Sequence, residues 1–251
     1  MALATWWRGD PLPALDPLPD FHVAAPRDAA LIAQVGGLTA AQAQRRLDQG
    51  HQPYLAYIGA EPAGYGWLAQ QAAEIGELDL RFALPPADRY LWDFATLPAW
   101  QGYGIYPRLL QHILRQQALP VERVWIIYAP ENTPSGAGMH KAGLLPAGQL
   151  SFDSDGAVGL AVTGAPHRAR AGAALLGVPI IETVPAPCWA CGGATATHVP
   201  PGDSAGCWPP LRPTTTPCTC AVPLKPSKTP AGAHQHHKHE DVTAEQGETV
   251  A

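Results

Sequence analysis

The stretch Pro98 to Leu110, PAWQGYGIYPRLL, constrains the fold more than any other part of the chain. The aromatic run before it, Asp88 to Pro98, reads as a strand and ends in a residue that cannot continue a ladder. After it, Leu109, Leu110, Ile113 and Leu114 recur at helical spacing while Arg108, Gln111, Arg115 and Gln116 take the other face. Pro107 is tolerated in the first turn of such a helix. Gly102 and Gly104 therefore fall at a strand-to-helix junction. The first N–H groups of a helix have no acceptor within it, its dipole is positive there, and glycines let an anion approach without a Cβ in the way. A glycine pair before a helix also serves as a plain turn, so the pattern alone leaves both readings open. Neither a phosphate loop, which needs a following Lys-Ser/Thr, nor a dinucleotide fingerprint, which needs a third glycine, is present.

The rest of the chain supplies the frame. Residues 1–20, with WWRGDPLPALDPLPD, read as an extended arm that packs its tryptophans on the domain. Phe21 to Ala25 is a first strand. Two short helices follow, one starting after Pro26 and stopped by Gly36-Gly37, the other capped by Thr39 and ended at Gly50. The next stretch, from His51, alternates around AEPAG as an antiparallel hairpin, with its second strand extending through EIGELDL. Val121 to Ala129 lacks alternation and is strongly β-branched, as a buried strand should be. A short helix capped near Asn132 or Thr133 and stopped by Gly143 comes next, then a closing hairpin with Asp155-Gly156 at its turn. The expected class is mixed α/β, a sheet flanked by helices over residues 21–165, with a helix and linker over 166–187.

A net charge of −5 over 251 residues gives no basic field, which argues against duplex nucleic acid as a partner. The start of the chain has no basic-then-apolar pattern, and the longest apolar stretch, AGAALLGVPII, is too short to span a bilayer. No membrane association and a cytoplasmic location are the expectation. All five cysteines fall between Cys188 and Cys220, so a disulfide framework for the main domain is not indicated. Cys188, Cys191, Cys207, Cys218 and Cys220, with His198 as a further donor, supply enough ligands for a structural zinc ion. A redox or disulfide pair and free thiols remain alternatives, because the second half is Cys-x-Cys. Beyond Cys220 the chain is low in complexity and expected to be disordered, with His234, His236, His237 and His239 either solvated or loosely metal-binding.

With these elements in order, TLPAWQGYGIYPRLL after one strand and ENTPSGAGMHKAGL after the next resemble the coenzyme A-binding core of the GNAT superfamily of N-acyltransferases over roughly residues 20–165. Gln101, Gly104 and Tyr106 hold the positions of the family's Gln/Arg-x-x-Gly-x-Gly/Ala motif, and Asn132, Ser135, Met139, Lys141, Gly143 and Leu144 those of the later one. The resemblance implies an acetyl-CoA-dependent transfer of an acyl group to a primary amine, small-molecule or peptide, by direct attack on the thioester. It implies splayed strands with the pantetheine bonded to the backbone of Phe94, Ala95, Thr96 and Leu97. It places the pyrophosphate on amides of Gln101, Gly102, Tyr103, Gly104, Ile105 and Tyr106, with Asn132 and Ser135 toward the pantetheine. Two departures stand out. Met139 replaces the tyrosine that acts as general acid, leaving His140, Tyr128 and Tyr106 as candidates, and Tyr106 replaces the last small residue of the loop. Asp93 and Glu77 are the candidates for a base acting through water, or else are solvated strand carboxylates; Trp92, Tyr90 and Phe94 are core or pocket wall. The rival readings are a non-catalytic acyl-CoA sensor and an interaction module working through the cysteine-rich segment. A homodimer is left open.

Overall fold

The computed structural model describes residues 1–153 and 156–182. The cysteine-rich segment, the histidine tail and Asp155 lie outside the described residues.

Hydrophobic alternation drives the strands into one nine-stranded sheet, joined by a separate two-stranded ribbon. In chain order the elements are β1 (Ala2–Trp7), β2 (Phe21–Ala24), α1 (Ala29–Gly36), α2 (Ala40–Asp48), β3 (Gln52–Ile58), β4 (Glu61–Ala69), β5 (Ala72–Ile75) and β6 (Leu80–Ala83). They continue with β7 (Asp88–Thr96), α3 (Ile105–Arg115), β8 (Arg123–Tyr128), α4 (Thr133–Ala142), β9 (Leu145–Phe152), β10 (Val158–Val162), α5 (Pro166–Leu176) and β11 (Ile180–Ile181). The sheet order is β11-β10-β9-β1-β8-β7-β4-β3-β2. It is mostly antiparallel, with parallel pairs at β7/β8 and β10/β11. The expected mixed α/β class is the one observed.

Four expectations are corrected. The first residues are no surface arm: β1 runs antiparallel between β8 and β9, with Leu3, Ala4 and Trp6 buried. Its short β-prone run ALATWW fits a pleated, buried surface. The prolines that argued for an arm all follow Asp10. The hairpin turn is Gly59-Ala60, sharing only its Ala60 with AEPAG, since Gly59 takes φ +56° and Glu61 already pairs with Ile58. The strand expected to run through EIGELDL breaks into the ribbon β5/β6, joined by a single 3₁₀ turn over Gly76–Leu78. The sheet also extends past residue 165, because β11 adds to β10.

The helices begin and end on local chemistry. Asp28 accepts from the amides of Ala30 and Leu31 to cap α1. Thr39 and Gln42 form a reciprocal capping box on α2. Helix α4 is capped by Asn132 and closed by Gly143 in the left-handed region. On α3 the apolar stripe Leu109, Leu110, Ile113 and Leu114 is almost wholly buried against Ala56, Ala63, Leu91, Val124 and Ile126 of the sheet. A second cluster on the other face packs α5 against Leu3, Trp125, Leu150 and Leu160. Bidentate ion pairs lock the assembly: Arg168 with Asp10 at 2.6 and 2.8 Å, and Arg123 with the buried Asp88 at 2.6 and 2.9 Å.

Candidate functional site

Strands β7 and β8 pair only from Asp88/Arg123 to Leu91/Ile126 and then part, although β7 continues to Thr96 and β8 to Tyr128. Beyond the parting, β7 still bonds β4, with Tyr65 opposite Ala95 and Gly64 opposite Thr96. Its other edge faces the gap. Those backbone donors and acceptors have no strand partner, so they need water or a ligand. The divergence has a local cause. Between Tyr65/Ala95 and Trp67/Trp92, one residue of β4 opposes Asp93 and Phe94 of β7, a bulge with Asp93 at φ +52°. Bulges bend the strand and raise its twist. Gly66 makes room for it: a Cβ there would stand 2.1 Å from the Phe94 ring.

The gap opens into a cleft of about 1120 Å³. At one end it is lined by Phe94, Tyr106, Tyr128, Asn132, Ser135 and Met139. Helix α3 starts beside it. Gly102 and Gly104 lie at φ +88° and +73°, and Gly104 is the N-cap, with no side chain capping the helix. The amides of Gly104, Ile105 and Tyr106 therefore lack intrahelical acceptors, and Pro107 has none to offer. Arg108 folds back to donate to the carbonyls of Gly104 at 2.9 Å and Asp16 at 2.5 Å, holding a cation at the loop. An uncapped glycine start, an adjacent guanidinium and an open strand edge suit an extended molecule carrying a phosphate group. Asn132, in contrast, spends its Oδ1 on capping, accepting from the Ser135 amide at 3.2 Å.

The tyrosines sit on the face covered by α4. Burial pushes the Tyr106 hydroxyl well above the usual phenol range, and it lies 3.4 Å from Ser135 Oγ. Its ring fits because position 138 is glycine, where a Cβ would come within 2.5 Å of Tyr106 Cδ1. Tyr128 packs its ring and hydroxyl on Gly136, and burial raises its pKa. His140 is exposed and does not line the cleft.

The other end of the cleft is lined by Arg46, His51, Trp92, Asp93 and the ribbon β5/β6, which carries Glu77. Glu77 is exposed in the 3₁₀ turn and not in a strand. Asp93 is held by Arg46 at 2.5 Å, and the same guanidinium lies 4.4 Å over Trp92 and 5.1 Å over Trp67. Trp92 Nε1 donates to His51 Nδ1 at 3.2 Å. That bond leaves the neutral ring's proton on Nε2. Burial and the charge of Arg46 both lower the His51 pKa, keeping it neutral. The structure thus brings Asp93, Glu77, Tyr128, Phe94, Tyr106, Asn132 and Ser135 to one cleft, while Gln101, Gly102, Tyr103 and Gly104 form the loop at the start of α3. Ala95 and Thr96 continue the open edge of β7, whereas Leu97 lies past the strand and spends its amide on the Ala63 carbonyl and its carbonyl on the Trp100 amide, so it adds nothing to that edge.

Sequence reading gave Arg46 and His51 no role, because a helix arginine and a lone histidine carry no spacing signal. Gly66 between two aromatics in a strand could have marked the bulge.

No family profile and no curated protein matches the chain. Among solved structures it is similar to a GCN5-related N-acetyltransferase from Kribbella flavida, at 15% identity and a TM-score of 0.40 over 58% of this chain and 53% of that one. It is also similar to the ribosomal-protein-S5-alanine acetyltransferase of Vibrio fischeri, at 14% and 0.42 over 55% and 86%. An aminoglycoside acetyltransferase in complex with coenzyme A and kanamycin gives 17% and 0.43 over 55% and 91%. The chain spans about half the length of the first of these. No helix among the described residues is long and apolar enough to cross a membrane. The expected zinc ligands Cys188, Cys191, Cys207, Cys218 and Cys220 lie outside the described residues, among which no metal-holding cluster of His, Cys, Asp and Glu occurs.

Proposed function

We propose that the chain is an acetyl-CoA-dependent N-acetyltransferase that passes an acyl group to a primary amine. The observation that carries this reading is the parting of β7 from β8 beside an uncapped, glycine-started helix. The open edge of β7 from Phe94 to Thr96 would take the amide-bearing arm as an extra strand. Amides of Gly104, Ile105 and Tyr106, with Arg108, would take the phosphate charge. Bound there, the cosubstrate supplies a thioester carbonyl open to a nucleophile. The chain's own residues then orient and protonate. The bulge at Asp93 and the neutral His51 face the acceptor end of the cleft, where Asp93, paired with Arg46, receives a proton from the incoming ammonium through water.

Isothermal titration of the whole protein with acetyl-CoA tests the reading. The expected dissociation constant is micromolar. Gly104→Glu, which sets an anion against the loop, weakens binding by about a hundredfold, about 2.8 kcal/mol. Equal affinity in the variant would remove the loop from the site. A second reading, a non-catalytic acyl-CoA sensor, is favoured by one observation: Met139, in the position of the general acid, carries no proton to give. Amine-dependent release of free thiol from acetyl-CoA separates the two.

A further inference from the structure

Met139 stands where the resemblance places the acid for the leaving thiolate and has no proton to give, and the packing of α4 brings a phenol to its neighbourhood. Tyr128 is the last residue of β8, two residues beyond Ile126, the last residue to pair with β7. Its phenol crosses to α4 and rests on Gly136, where a Cβ would lie 3.0 Å from both its Cε2 and its hydroxyl oxygen. Gly136 is three residues before Met139, one turn earlier on the same face of the helix. Both side chains line the same end of the cleft and pack in the same apolar cluster. A phenol is therefore delivered from the strand to the neighbourhood that position 139 occupies on the helix, and glycine at 136 is what admits it.

We propose that Tyr128 donates the proton that releases the thiol in this chain. The assignment rests on the acetyltransferase reading above. As the amine nitrogen bonds the carbonyl carbon and the carbon–sulfur bond breaks, the bonding pair goes to sulfur. Tyr128 Oη passes its proton to that sulfur, and the tyrosinate takes up, through water, a proton shed by the amine nitrogen. The other candidates are less suited. His140 is exposed and off the cleft. The Tyr106 hydroxyl is already engaged with Ser135 at 3.4 Å. For Tyr128, burial is the sole cause of its raised pKa, and no group among the described residues hydrogen-bonds its hydroxyl. It stays protonated at neutral pH and is free to donate.

The test compares wild type, Tyr128→Phe and Tyr106→Phe in the full chain, with acetyl-CoA as donor and hydroxylamine as nucleophile, following free thiol. The expected result is that Tyr128→Phe binds acetyl-CoA within about threefold of wild type but releases thiol about 100-fold more slowly. It also loses the alkaline limb of the pH profile, whereas Tyr106→Phe keeps it. A second measurement needs no acceptor: wild type should prefer coenzyme A over its desulfo analogue, and Tyr128→Phe should not. A Tyr128→Phe variant with the wild-type rate and profile, or loss of the limb in Tyr106→Phe instead, would overturn the assignment. Failure of the wild type itself to bind acetyl-CoA would sink the acetyltransferase reading, a separate outcome.

Discussion

At residue scale, the cleft depends on side chains whose neighbours decide their charge. His51, half-buried beside Arg46, accepts from Trp92 and has its pKa lowered by burial and by Arg46, and that of His112 on α3 is likewise lowered by burial and by Arg115. Both therefore bind protons more weakly folded than unfolded. The sign follows from linkage: the unfolded chain takes up more protons as pH falls through 6.5, so their contribution to stability is complete above that pH and is lost below it. Urea denaturation between pH 8 and 5 should show wild-type stability falling on the acid side of about pH 6.5. In His51→Gln/His112→Gln the fall should be shallower; parallel curves would mean that these two rings do not carry the effect. Gln at 51 can still accept from Trp92, so the comparison isolates the proton.

At the scale of elements, the parting of β7 and β8 works because the strands are firmly joined before they diverge. The Asp88 carboxylate, 1% exposed, takes two bonds from Arg123 directly across the parallel register and a third from Trp125 Nε1 at 3.3 Å. Removing one partner of a buried pair strands the other charge at a cost of about 3–5 kcal/mol. Arg123→Met should lower the unfolding free energy by that amount in urea titration. Asp88→Asn/Arg123→Met, which leaves no buried charge, should recover part of the loss. A single-variant cost under about 1 kcal/mol would show the pair to be as weak as a surface bridge.

For the whole molecule, the decisive strand is the first. β1 joins the β7/β8 half of the sheet to β9, and Thr5 Oγ1 adds a bond to the Val124 carbonyl at 2.9 Å. Thr5→Pro removes an amide from a strand paired on both edges, at a cost of about 3 kcal/mol or more. Thermal unfolding followed by circular dichroism should show a large loss of stability. Were residues 2–7 only an arm on the surface, the change would stay within about 0.5 kcal/mol.

Local chemistry written in the chain determined much of this. The caps at Thr39, Asn132 and Gly143, the apolar stripe of α3 and the glycine junction before it depend on neighbours a few residues away, and each is legible as sequence. The mixed α/β order and the resemblance it supports came from the same signals. Tertiary structure decided the rest. The placement of β1 between β8 and β9 depends on pairing across more than a hundred residues, and no local pattern carries that distance. The breakpoint between β7 and β8 depends on a bulge set by Gly66 and the Phe94 ring on neighbouring strands. Arg46 reaches Asp93 only because α2 folds over the sheet, and Tyr128 meets α4 only because position 136 lacks a side chain. Capping and amphipathicity are short-range and so readable along the chain; ion pairs, ring contacts and strand registers join distant positions, and only the folded chain brings them together.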